Sequence, residues 1–149
     1  MGWRDWHLHQ FSVGSSRMFE YIGTPDDDCA PGWKRKIADY IDTPKQAILY
    51  TYDLGDDWEH KVVLEKILPF DANQEYPICL AGERACPPED CGGAWGYQEL
   101  LEIIKDPNHE EYKERMEWFV DDFDPEEFDP SSVEFVKDSR KYAEAMGMV

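Results

Sequence analysis

Three cysteines, Cys79, Cys86 and Cys91, share one loop rich in Gly and Pro with the spacing C-x6-C-x4-C. Zinc takes about four nitrogen or sulfur ligands in a tetrahedron, and thiolates on a short loop can converge on one ion. His60 or Cys29 would complete such a shell, which makes structural zinc the cofactor to expect here. Two features weigh the other way. Only Cys86 to Cys91 has a knuckle-like spacing, and Pro87 and Pro88 stiffen it. Thiols that pin the loop by packing satisfy the same pattern. A redox pair of Cys86 and Cys91 lacks the C-x-x-C form.

His7 and His9 stand two apart in an alternating stretch, so on a strand their side chains share a face. With His60 and a carboxylate from Asp53, Asp56 or Asp57 they could bind a metal that activates water for hydrolysis. The plainer reading leaves each histidine hydrogen-bonded within the fold and each turn Asp bonded to its own backbone. Gly55-Asp56-Asp57 reads as a turn between two strands, with Trp58 entering the core beside it. Gly92, Gly93 and Gly96 precede a helix, but the Gly-Lys-Ser/Thr ending of a phosphate loop is absent. From Glu117 to Asp129, seven residues are acidic and Trp118, Phe119, Phe123 and Phe128 are aromatic. Docked rings with carboxylates facing water account for that pattern; engaging a basic partner or imitating DNA charge is the sharper alternative.

These groups need elements to hold them. Trp6 to Phe11 alternates as a strand should, and Arg17 to Ile22 reads as a second strand joined by a hairpin over Val13 to Ser16. Thr24 to Gly32 is a loop, and Lys34 to Ile41 suits either a short helix or a strand. Gln46 to Asp53 is rich in β-formers. Trp58 to Leu68 has Trp58, His60, Val62 and Leu64 on one face and ends before Pro69. Residues 69 to 95 form a long connection. Tyr97 to Lys105 repeats apolar residues at helical spacing. Asn108 with Glu111 marks a helix running through Phe119, and Ser131 with Glu134 another running towards Met146. The expected fold is α+β, one domain over residues 1–149: a mostly antiparallel sheet packed by C-terminal helices, with a Cys/Pro/Gly-rich central loop.

The 149 residues carry 33 acidic against 15 basic side chains, a formal charge of −18. Such a surface repels phosphate backbones and anionic lipid, which disfavours direct nucleic-acid or membrane binding and suits a basic protein partner. No apolar run reaches membrane-span length and no signal peptide follows Met1, so the cytoplasm is the expected compartment and free thiols the expected cysteine state.

Three stretches together resemble the plasmid ORF-3-like family, named for a frame of a root-inducing plasmid. They are Met1-Gly2-Trp3 leading to His7-Leu8-His9-Gln10-Phe11, then Tyr52-Asp53-Leu54-Gly55-Asp56-Asp57-Trp58-Glu59-His60, then Cys79 to Tyr97 with Pro87, Gly92 and Gly93. Phe123 to Asp129 resembles the family's closing segment. The resemblance implies an α+β domain and an association with mobile elements, and it implies no known activity. It also implies that a strand pair and a helix usually precede the segment that opens this chain. A sheet without them would expose an edge that a second copy could cover. The leading expectation is an acidic protein-interaction domain. A metal-dependent hydrolase built on the His/Asp cluster and an acidic DNA-mimic decoy are the alternatives.

Overall fold

In the computed structural model, residues 2–15, 18–26, 28–117 and 123–135 are described. The chain divides into two compact units, one of residues 7–76 with 135–149 and one of residues 1–6 with 77–134.

The first unit is a five-stranded sheet. Its strands are β1 (His9–Ser15), β2 (Met18–Gly23), β3 (Cys29–Pro31), β4 (Ala47–Tyr52) and β5 (Trp58–Val63), in the order β3-β2-β1-β4-β5. All neighbours are antiparallel except β2 and β3. The registers Phe11↔Ile22, Phe11↔Tyr50 and Tyr50↔His60 set these side chains, with Val13, Tyr52, Trp58 and Val62, on one face. Val13, Ile22 and Tyr52 are buried there, Tyr52 most completely at 2% exposure. The aromatic and β-branched residues of β4 therefore form a strand because one of its faces is core.

Several sequence expectations shift. The first strand starts at His9 and runs on to Ser15, into the expected turn. Ser16 and Arg17 lie outside the described residues. The expected loop of Thr24 to Gly32 contains β3. Asp26 builds the reversal that leads into it: its carboxylate accepts the N–H groups of Asp28 (2.9 Å) and Cys29 (2.8 Å). Lys34 to Ile41 holds no strand: it contains the end of one short 3-10 helix, Gly32–Lys34, and the whole of another, Ile37–Asp39. β5 ends five residues before the expected boundary at Leu68.

Among the described residues, both α-helices lie in the second unit. α1 spans Gly93–Lys105, beginning four residues before the expected start, and buries Leu100 and Ile103. α2 is one short stretch, Tyr112–Met116, and Asn108 does not cap it: the preceding residue is Glu111, without a side-chain cap. Glu117 caps the end of α2, and residues 118–119 of that expected helix lie outside the described residues. Ser131 sits in a 3-10 turn, Pro130–Ser132, whose N–H is accepted by Asp129. Residues 133–135, inside the helix expected towards Met146, are not helical, and the rest of that helix falls on residues that are not described. Among the described residues, no helix is long and apolar enough to cross a membrane.

Candidate functional site

Asp53 is where the polar residues of the sheet unit converge. It follows β4 with a φ of 55°, a left-handed conformation that Asp tolerates because its short side chain bonds locally. Its Oδ1 accepts the N–H of Gly55 at 2.9 Å and that of Asp56 at 3.3 Å. Its carbonyl accepts the N–H of Asp57 at 2.7 Å, and its own N–H donates to the Leu8 carbonyl at 2.9 Å. Asp57 also takes a positive φ, 55°. The expected turn at Gly55-Asp56-Asp57 is thus present, but Asp53 organises it.

The other carboxylate oxygen of Asp53 lies 3.5 Å from His7 Nδ1. That is long for a hydrogen bond and close enough for attraction when the imidazole is protonated. The His7 ring stands edge-on to Tyr52, centroids 6.0 Å apart. His9 goes elsewhere: its N–H donates to Thr24 Oγ1 at 3.2 Å and its ring lies 6.0 Å from Tyr50. His60 flanks the same tyrosine at 5.7 Å, and Phe11 stacks on it at 4.8 Å. The histidines therefore divide between two tyrosines. Of the expected cluster His7 and Asp53 come together, while among the described residues His9, His60, Asp56 and Asp57 join no group of three ligand atoms within 4.8 Å of one another.

Thr24 and Tyr50 were not singled out by sequence reasoning. The signal for Tyr50 is its position two before Tyr52 on a strand whose register faces His60; Thr24 carries no comparable signal. A carboxylate beside an imidazole can fix the ring's tautomer, as acid–base catalysis requires. Here half of that carboxylate already holds a turn.

The cysteine loop belongs to the other unit. Cys79, Cys86 and Cys91 do not form a set of ligand atoms within 4.8 Å among the described residues, while Cys29 and His60 belong to the sheet unit. Gly92 and Gly93 take φ of 87° and 66° at the entry to α1. A side chain on Gly96 would strike the Cys91 carbonyl, so the glycines serve the close approach of loop and helix. Pro87 lies in the same loop. Tyr97 stands on the first turns of α1, where burial raises its hydroxyl's pKa and the neighbouring Cys91 adds to the rise.

Burial likewise pushes the Cys86 thiol up, Glu89 adding to it against the N–H groups of Gly2 and Trp3. Cys29 is raised by burial and by Asp26. The thiolate is the reactive form, so both should be sluggish nucleophiles. Iodoacetamide at pH 8 should alkylate Cys29 and Cys86 in the native chain about tenfold more slowly than in urea, read by peptide mass spectrometry. Equal rates in both states would contradict this.

The chain matches the plasmid pRiA4b ORF-3-like protein family over residues 1–132. It is 39% identical to the uncharacterized protein y4hQ of Sinorhizobium fredii (strain NBRC 101917 / NGR234), covering 79% of this chain and 61% of that one. It thus spans about three fifths of that relative's length. A crystal structure of a protein of unknown function, MM3350 from Methanosarcina mazei Go1, is 50% identical with a TM-score of 0.79. That alignment covers 91% of this chain and 77% of the other.

Proposed function

The chain belongs to the plasmid pRiA4b ORF-3-like family, and we propose that this member works by binding protein, as a small acidic interaction domain for a basic partner. An association with mobile elements enters this reading only through the plasmid in the family's name.

The observation that carries the proposal lies just after β5. Ile67, Leu68, Phe70 and Tyr76 are exposed by 67%, 73%, 80% and 50% within ten residues. Phe70 and Tyr76 hold each other with ring centroids 5.6 Å apart. Asp71 accepts the N–H of Asn73 at 2.9 Å and so shapes the turn between them. Large apolar side chains gathered in one exposed stretch mark an interaction site more often than scattered ones do. Glu65, Asp71 and Glu75, against the one Lys66, are interspersed with them along the sequence in a chain of charge −18. The matching partner is an amphipathic basic segment whose apolar face covers the rings while its Lys and Arg meet the carboxylates.

A fluorescent peptide with Leu and Lys at amphipathic helical spacing probes this chemistry directly. Anisotropy titration against the full chain should give a Kd on the order of 10 µM that weakens as salt rises. Leu68→Ser combined with Phe70→Ser should weaken it about tenfold or more without lowering the melting temperature. Binding that ignores the double substitution, or no binding, overturns the proposal.

A further inference from the structure

The two edges of the sheet are defended differently. β3 is three residues long and ends at Pro31, which makes it a poor template for another strand. β5 is six residues long, and among the described residues no strand lies on its outer side.

Register decides which of its groups face outward. The Leu64 N–H donates to the Gln46 carbonyl, and β4 and β5 pair in strict antiparallel order from Ala47↔Val63 to Tyr52↔Trp58. Alternation then turns the amides of Trp58, His60 and Val62 toward β4 and those of Glu59, Lys61 and Val63 outward. The Glu59 and Lys61 side chains are exposed.

We propose that a second copy of this chain adds to this edge, β5 against β5 and antiparallel, about a two-fold axis at His60. In that register Glu59 faces Lys61 of the second copy, and Lys61 faces its Glu59. Outward amides meet outward amides, so each of these residues exchanges its N–H and C=O with its opposite number. An axis at Glu59 or at Lys61 also matches the amides but sets like charges directly opposite, which is destabilising. An axis between two residues sets outward amides against inward ones. Of the axes that set both Glu59 and Lys61 against β5 residues of the second copy, this one alone satisfies both conditions. The ladder stops beyond it, because the N–H of Asp57 is already bonded to Asp53.

Exposed ion pairs add little affinity, so Glu59 and Lys61 choose the register. The backbone bonds and the contact of Trp58 with Val62 of the second copy supply the attraction. Two bodies of charge −18 repel at long range, and salt screens that repulsion before it weakens contact pairs. Self-association therefore strengthens from low salt to physiological salt. This dependence is opposite to that of the basic peptide, and neither proposal needs the other.

Sedimentation equilibrium of the full chain over a concentration series tests the idea. A reversible dimer is expected, tighter at physiological than at low salt. Glu59→Lys and Lys61→Glu should each raise the dissociation constant about tenfold or more, because each turns both symmetric pairs repulsive. The double exchange, Glu59→Lys with Lys61→Glu, should restore it to within about threefold of the original. Thermal melts of each variant establish that it is folded. A chain that stays monomeric overturns the proposal, as do single reversals without effect or a double exchange that fails to rescue.

Discussion

Replacing Gly23 with alanine should destabilise the sheet by about 3 kcal/mol, the upper end of the usual range for an overpacked site. Gly23 lies on β2 opposite Gln10 of β1. A Cβ there would run into the His9 carbonyl oxygen, and it would sit 2.7 Å from Gln10 Cα and 2.8 Å from the His9 carbonyl carbon. All three atoms are backbone, so no side chain can swing aside. Relief requires β1 and β2 to part where the Thr24 N–H bonds the His9 carbonyl at 2.9 Å. Since small domains hold about 5–15 kcal/mol in all, a large share of the stability is at stake. Melting followed by circular dichroism should show a fall on the order of 10 °C. Gly32→Ala is the control: its nearest neighbours would be 3.5 Å away, an ordinary contact, and it should melt within a few degrees of the parent. A Gly23→Ala chain that melts like the parent would show that β1 and β2 do not approach this closely.

The second large effect belongs to Asp53, and its size depends on the replacement. Asp53→Ala removes the acceptor for the Gly55 and Asp56 N–H groups and leaves a Cβ-bearing residue at φ 55° without local compensation. The lost bonds and the left-handed backbone together should cost about 2–4 kcal/mol. Asp53→Asn keeps a carbonyl oxygen at the same place and tolerates the same φ, so it should cost under about 1 kcal/mol. Urea unfolding monitored by Trp fluorescence separates the two variants. If Asn proves as damaging as Ala, the charge facing His7 matters more than the turn, and the structural account of this motif fails.

The contrast between these positions shows what the sequence made legible. β4 could be read because Ile48 to Tyr52 is an unbroken run of β-formers, and propensity is a local signal. The start of β5 was legible from the alternation of Trp58, His60 and Val62, but not its end. Its apolar pattern continues through Leu64, Ile67 and Leu68, whereas the ladder stops when its partner does. Lys45, at φ 79°, already bends away from β4 as it bonds the Leu64 carbonyl. β3 left no trace in the pattern, because three residues held parallel to β2 owe their strand to where β2 lies. α1 was read late because Gly93 and Gly96, weak helix formers, occupy its first turn. The family kinship was legible from motifs, and Asp53, Gly55 and Asp57 could be assigned to a turn by their chemistry. The division of His7, His9 and His60 between two tyrosines was not, since it follows from cross-strand register.

The central place of β1 has a consequence for synthesis. β1 is made before one of its two partners, β4, which is reached only at Leu49 to Tyr52. Until those residues leave the ribosome, β1 has β2 alone of its two neighbours, and a lone hairpin is marginal in water. The nascent chain must therefore carry an open β1 edge through more than thirty residues of elongation, which is a slow, long-range closure by the standards of loop entropy. During that interval β1 offers an aggregation-competent strand that chaperones would have to shield, and the finished sheet conceals it between two neighbours.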